Sequence, residues 1–461
     1  MFKLRAFSAI SVITFLVLQP IFTTPTFAAG FQINEISPGL QGDATAGAAA
    51  ARNDVSAMFI NPATLGSLIQ KQAYIGASGI FPHIDMSSAS AIHTVNIPGL
   101  PPSNITAPVI GEDSQDDVAK DAFVPDLYLG WRINNKFALG ISILAPFGLV
   151  TEYDDDSVVR FAAQKSSVKT VNITPALAFN YNEKLSFGIG FQAQYMQAIL
   201  SNFDGPYTGM PPIDALIAST EPTHLTAHGW GFGYTLGATF APDPKTHIGL
   251  SYRSMIHNDL DGNGQQFTSP GGIVPAPSPD FLFNAQTHVS STIKTPAIAT
   301  FGVTRDINSW TIKATAQVNF WNTLNHISID MPDAFATNST IETKWDNAWF
   351  AALGADYLVN SVWTVRGGFA FDQTPTKDET RDPRIPDSDR YWLTVGTSYT
   401  ISKHTSIDAA YAHIFSPNQT VDVTQASGSN AIDPGPLEVN QVNAHYHNSV
   451  DIVALALRVN F

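Results

Sequence analysis

Tight polar turns and long loops alternate along this chain, and that alternation limits the fold more than any other feature. Short turns occur at INNK (133–136), YNEK (181–184), PDPK (242–245), RDIN (305–308), LVNS (358–361) and ISKH (401–404). Between them run long connections rich in Pro, Asp and Ser, near 82–122, 151–167, 201–227, 257–287, 325–344, 373–388 and 416–447. The segments joined by the short turns alternate in polarity with period two. In LSFGIGFQAQYMQ, Leu185, Phe187, Ile189, Phe191, Ala193 and Tyr195 share one face, opposite Ser186, Gly188, Gly190, Gln192 and Gln194. TIKATAQVNF and the final VDIVALALRVNF repeat the pattern. A soluble sandwich alternates too. Antiparallel strands with short turns at one end and long loops at the other describe a transmembrane β-barrel, here of about fourteen strands, an even number.

Composition agrees with a barrel. Charged residues are 14% of the chain, well below the roughly 25% of soluble domains. Lys3 and Arg5 precede an apolar run from Ala6 to Leu18, and Thr26 and Ala28 supply small residues for cleavage. We read 1–28 as a signal peptide cut after Ala28, its apolar run being too short to span a bilayer comfortably. No later run is long enough for a spanning helix. Losing Lys3 and Arg5 leaves 22 basic against 39 acidic residues, a net charge of −17. That excludes a nucleic-acid partner, which needs a basic footprint. Without Cys there is no disulfide, thiol nucleophile or thiolate metal site. Tyr128, Trp131, Tyr181, Trp349, Tyr357, Trp363, Trp392 and Tyr399 fall near predicted strand ends, where aromatic girdles belong.

Residues 29–70 precede a barrel of 71–461. The stretch GDATAGAAAARNDVSAMFINPATLGSL is Ala-rich and helix-prone, with Pro62 closing the helical pattern at Asn61. It is too small for an independent domain, and Met58, Phe59, Ile60 and Leu65 need a burial site. We place it inside the barrel as a small helical hatch rather than as a disordered tail.

One strand breaks its own pattern. In FALGISILAPFGLVTEYDDD (137–156), Phe137, Leu139, Ile141 and Ile143 alternate with small residues until Pro146 removes a ladder donor and Gly148 weakens the backbone. Two readings stand. One is a bulge that curves the wall; the other is an opening, since unpaired backbone at membrane depth persists only where it lines a cavity or is buried in protein.

Several of these stretches resemble the long-chain fatty acid transporter (FadL-type) family. AGFQINE (29–35) is similar to that family's mature N-terminus, and SAMFINPATL (56–65) to its plug motif, with Asn61, Pro62 and Ala63 as the Asn-Pro-Ala core. APFGLVTEY (145–153) resembles its third strand; ITPALAF, WGFGYTLG, LSYRS and RIPDSDRYWLTVGTSY (384–399) match further along, in order. The resemblance implies a fourteen-stranded outer-membrane barrel with an N-terminal hatch, passing hydrophobic molecules passively, most of all long-chain fatty acids. It implies a gate at Asn61, Pro62 and Ala63, a lateral opening at Pro146, Phe147 and Gly148, and Phe31 reaching the ligand's apolar part. It also implies ligand capture by two loops, through Ile213, Leu216 and Ile217 of PPIDALIA and through Phe281 and Phe283 of DFLF. These loops have a plainer reading as a loop core packed on itself. Aromatic hydrocarbon uptake by the same fold, and a non-transporting adhesin or phage receptor, are the alternative functions.

A fatty carboxylate entering so acidic a chain needs a local cation. Arg160, Lys313 and Lys344 are the candidates, each also suited to an ion pair. Arg384, Asp387, Asp389 and Arg390 read as a salt-bridge network at the rim. Enzymatic readings lack support, with no Gly-x-Ser-x-Gly elbow, phosphate loop or His-Glu-x-x-His motif. His445 and His447 read as a polar pair rather than metal ligands, and Asp154, Asp155 and Asp156 as a solvated run. No cofactor is expected. The expected partners are a hydrophobic small molecule, outer-membrane lipid and lipopolysaccharide, and the barrel-assembly machinery through the C-terminal Phe461, with the barrel a monomer.

Overall fold

Four of the six tight turns are closed by an Asn or Asp side chain that caps the backbone after it. Asn134 Oδ1 accepts from the Lys136 and Phe137 amides, Asn182 Oδ1 from Lys184 and Leu185, Asp243 Oδ1 from Lys245, and Asn360 Oδ1 from Val362 and Trp363. These turns set the staves of a barrel. The computed structural model describes residues 30–96, 104–203, 222–268, 283–332, 338–427 and 438–461; the expected leader lies outside them. Among the described residues the staves are β1 (Gln72–Asn96), β2 (Asn104–Pro108 and Ala122–Arg132), β3 (Phe137–Leu144 and Gly148–Glu152), β4 (Lys165–Asn180), β5 (Leu185–Asn202), β6 (Thr223–Asp243) and β7 (Thr246–Arg253 and Ile256–Thr268). They continue as β8 (Phe283–Thr295 and Ile298–Ile307), β9 (Trp310–Asn319 and His326–Asp330), β10 (Asn338–Glu342 and Ala348–Leu358), β11 (Trp363–Asp372), β12 (Arg390–Ser402), β13 (Thr405–Phe415 and Gln419–Ser427) and β14 (Glu438–Asn460).

Neighbours pair antiparallel, and β14 returns to β1 from Gln72↔Asn460 to Val95↔Glu438. The fourteen-stranded barrel is closed. Closure leaves no free edge in lipid. Phe187, Ile189, Phe191, Phe232 and Leu455 stand exposed on the outer face, as the alternation requires. Two expected girdle residues do not. Tyr128 shares the inward face of β2 with Val124 and Asp126, and Trp392 likewise points inward; both are buried. β1 also runs on through Pro82, where a loop was expected. The Pro is tolerated because pairing with β2 has ended at Ile80↔Ala122.

Residues 30–68 fill the lower lumen, most of them buried. They form no long helix. A short α-helix (Pro38–Gln41) is followed by three 3-10 turns, Ala48–Ala50, Val55–Phe59 and Pro62–Ser67. Positive φ at Ala44, Thr45, Gly47 and Asn53 breaks the run, because the segment moulds itself to the wall rather than to its own helix propensity. Asn61 starts a turn instead of ending one: its Oδ1 accepts from the Ala63 amide, with Pro62 in the first position.

The wall makes room for the hatch by omitting side chains. A Cβ at Gly249 would overlap the Ala49 carbonyl, and one at Gly188 the Ala63 amide. Two buried ion-pair sets then fix the hatch. Lys313 Nζ lies 2.6 Å from Asp43 and 2.7 Å from Asp356; Arg458 lies 2.9 Å from Asp54 and 3.2 Å from Asp408. Removing one partner of such a pair typically costs about 3–5 kcal/mol, since the other charge is left buried.

Candidate functional site

The site is built at the break in β3. Below it, β3 pairs with both β2 and β4. Above it, Gly148–Glu152 pairs with β4, and its far end meets the chain leading into Ala122–Arg132 of β2 through the bridge Ala119↔Thr151, with Glu152 N donating to Val118 O at 2.8 Å. Between Leu144↔Asn172 and Gly148↔Lys169, β3 advances by one more residue than β4, which is a bulge. The Thr170 hydroxyl fills the interrupted ladder, donating to the Phe147 carbonyl at 2.6 Å and accepting from its amide at 3.0 Å.

On the other side, β2 has no β3 partner between Leu127↔Ile143 and the bridge Ala119↔Thr151. The hatch takes its place. Ile33 N donates to Pro146 O at 2.8 Å, and Gly148 N to Phe31 O at 2.8 Å. The wall between β2 and β3 is therefore closed by hatch residues 31–33 rather than by a neighbouring stave. Asp126 of β2 is buried beside this stretch with both carboxylate oxygens unpartnered.

Phe31 seals the lumen at the same level. Its ring centroid lies 5.9 Å from Phe147, 4.8 Å from Trp321 and 5.8 Å from Trp345. The two Trp rings meet at 5.0 Å. Phe147 comes from the break in β3, Trp321 from the interruption of β9 and Trp345 from that of β10. Three interrupted staves thus send aromatic rings inward onto one hatch residue.

The hatch end is clamped from the loop after β11. Asp387 Oδ2 accepts from Gly30 N at 2.9 Å, Arg390 pairs with Asp387, and Asn34 Nδ2 reaches Asp372 at 3.3 Å. Gly30 has φ +66°, and a Cβ there would sit 2.7 Å from Trp345; only Gly fits. Burial pushes the Glu35 carboxyl up to about 7, with its own backbone amide and Arg390 opposing and Asp372 reinforcing the rise.

Two cavities flank this partition. The upper one has walls of Leu149, Val168, Leu200, Ile293 and Ile327, with Phe31 and Trp345 at the partition. Its polar part carries Asp382 and Arg384. Arg384 donates to Ser166 Oγ at 3.0 Å and to the Ser201 carbonyl at 3.2 Å, and burial raises the Asp382 carboxyl above its ordinary value while Arg384 opposes the rise. The lower one lies against Pro146, Phe147, Gln32 and Arg253.

Phe31, Pro146, Phe147 and Gly148 therefore come together. The other candidates lie elsewhere. Asn61 Nδ2 donates to Ala49 O at 2.6 Å and Ala238 O at 3.1 Å, and Ser186 donates to Ala63 O, so Asn61, Pro62 and Ala63 sit on β5 and β6 at the base. Lys313 belongs to the base ion pairs. Arg160 donates to the Ser157 and Ile110 carbonyls and stacks over Phe161. Lys344 is exposed, 3.2 Å from Glu342. Ile213, Leu216, Ile217 and Phe281 lie outside the described residues, and Phe283 opens β8. His445 meets Thr420 and His447 meets Asn418 on the outer face; among the described residues no group of acids and histidines is placed to hold a metal. Sequence reasoning did not single out Trp321, Thr170 or Arg384 as parts of the site. The only signal for Trp321 is its place just after a strand, in NFWNT.

Comparison with known proteins fits this geometry. The chain is 28% identical over 415 residues to the long-chain fatty acid transport protein of Salmonella typhi, covering 86% of this chain and 90% of that one. Its fold matches the crystal structure of a Pseudomonas aeruginosa FadL homologue at a TM-score of 0.77, with 23% identity, 94% of this chain and 100% of the other covered. It matches the Ralstonia pickettii toluene transporter TbuX at 0.64, with 19% identity and 93% and 99% covered. Residues 20–461 match the family described as outer membrane protein transport protein (OMPP1/FadL/TodX). The chain belongs to that family of outer-membrane transport barrels.

Proposed function

We propose that this barrel carries long-chain fatty acids passively across the outer membrane and releases them sideways between β2 and β3. The observation that carries this reading is the wall gap. It is closed by residues 31–33 of the hatch, and the same segment presents Phe31 to an apolar cavity that also holds an arginine. The aliphatic walls suit an acyl chain. Arg384 supplies the cation that an ionised carboxylate needs in a chain of −17. Withdrawal of Phe31 then opens the partition and frees the β2–β3 gap in one movement, because both rest on the same backbone. No energy source enters this scheme and no chemistry is done on the ligand. The relative from Salmonella typhi carries the name of a long-chain fatty acid transport protein, which agrees. Lipid and lipopolysaccharide contacts, assembly through exposed Phe461 and a monomeric state belong to the same reading.

Aromatic hydrocarbon uptake is the second reading, favoured by the likeness to a toluene transporter. Arg384 separates the two, since a neutral hydrocarbon gains nothing from it. Quenching of Trp345 and Trp321 by brominated palmitate and by bromotoluene measures both affinities. Palmitate is expected to bind more tightly, and Arg384→Gln to weaken it roughly 10- to 100-fold, the range for a charged hydrogen bond. Equal affinities that ignore the substitution would give the site to hydrocarbons.

A further inference from the structure

Among the described residues, four lumen cations are neutralised in pairs. Lys313, Arg366 and Arg458 face Asp43, Asp54, Asp356 and Asp408, and Arg390 faces Asp387. Arg253 of β7 is different. Among the described residues it forms no salt bridge with a carboxylate. Its guanidinium stacks on the Phe59 ring at 3.5 Å and donates to the Phe59 carbonyl, while its Nε is buried with no partner. It borders the lower cavity, alongside Gln32, Thr300 and Gln317 on the polar side and Phe147, Ile60 and Ile298 on the apolar side. Gln32 Oε1 is also buried there without a donor.

We propose that Arg253 is a second anion subsite, which receives the ligand's carboxylate beneath the aromatic partition. An unpaired arginine in a chain with this acidic excess is a standing demand for an anion, and the cavity beside it has room for a carboxylate-sized group. Because Pro146 and Phe147 wall the same cavity, a carboxylate held by Arg253 leaves its tail along Phe147 at the wall gap. The lower cavity thereby selects ionised amphiphiles. A neutral hydrocarbon would meet Gln32, Gln317 and Thr300 with nothing to offer them. This rests on the transport reading above and adds a residue and a specificity to it.

The test uses full-length protein in proteoliposomes, with palmitate and its uncharged analogue hexadecanol as probes. Arg253→Gln keeps a donor for the Phe59 carbonyl and removes the charge. Palmitate flux is expected to fall roughly 10- to 100-fold, with hexadecanol flux and equilibrium palmitate affinity in the upper cavity within about twofold. Arg253→Lys should restore part of the palmitate flux. Equal loss for acid and alcohol would mean that Arg253 only props the hatch and would overturn the proposal, as would unchanged palmitate flux. Should the parent protein carry neither probe, the transport reading fails on its own. The subsite is then decided by crystals of Phe31→Ala soaked with terminally brominated palmitate. A carboxylate on Arg253, lost in the double variant with Arg253→Gln, supports it; an empty lower cavity ends it.

Discussion

Replacing Phe31 with Ala should undock the hatch's first residues while leaving its base in place. The ring is 1% exposed and packed by Phe147, Trp321 and Trp345. Truncating a buried Phe costs about 3–5 kcal/mol in a rigid core. Here residues 30–36 lie at the end of the hatch and can leave without unfolding the barrel, so the cost falls on docking. Taking about 3 kcal/mol, the ratio of docked to undocked segment drops roughly 100-fold. Two amides report it directly: Ile33 N, bonded to Pro146 O, and Gly148 N, bonded to Phe31 O. Hydrogen exchange followed by mass spectrometry, in detergent, should show both speeding by about that factor. The Asn61 amide, bonded to Ala57 O in the base, should not change. If Ile33 and Gly148 exchange as in the parent, Phe31 is not what holds the segment and the coupled gate is wrong. If all three accelerate together, the hatch moves as one body.

Three further outcomes follow from the same structure. Glu35 has its carboxyl raised to about 7, so the docked segment keeps a proton that the undocked one releases. Docking should be firmest below pH 4.5 and weaken as pH rises through about 7; protection of the Ile33 amide at several pH values, corrected for intrinsic exchange, checks this, and Glu35→Gln should flatten the profile. Gly249→Ala should cost roughly 1–3 kcal/mol by driving a methyl into the Ala49 carbonyl, whereas Gly367→Ala, whose Cβ meets nothing closer than 3.5 Å, should leave the thermal unfolding temperature nearly unchanged. Lys313→Met should cost roughly 3–5 kcal/mol by stranding Asp43 and Asp356, and adding Asp43→Asn should restore part of the loss in the same unfolding assay.

The barrel was legible because its rules are local. Turn chemistry at Asn134, Asn182 and Asn360 and the inside-out alternation between them fix strand count and direction without any long-range knowledge. The break at Pro146 was legible for the same reason. What replaced the missing partner was not, because the contact between Phe31 and Gly148 joins residues far apart in sequence and no local pattern announces it. The hatch misled for a related cause: its Ala-rich stretch has real helix propensity, but packing against a wall of glycines overrides it. Parity misplaced Tyr128 and Trp392, since position near a strand end was weighed above the face each residue occupies. Arg384 looked like one more charge in a rim motif; its distinction is the apolar cavity beside it, which is a property of six staves at once.

Lateral release is the centre of this account, and deleting Pro146 tests it most directly. The bulge puts one extra residue on β3 between Leu144↔Asn172 and Gly148↔Lys169, so the deletion restores the count opposite β4 and removes the residue that cannot donate. β3 can then run straight and pair with β2 at 122–126, which new protection of those amides would verify. With the wall so repaired, palmitate affinity in the upper cavity should stay within about twofold while uptake into proteoliposomes falls at least about tenfold. Normal uptake through a verified continuous wall would contradict the account, and the ligand would have to pass the hatch to the periplasm.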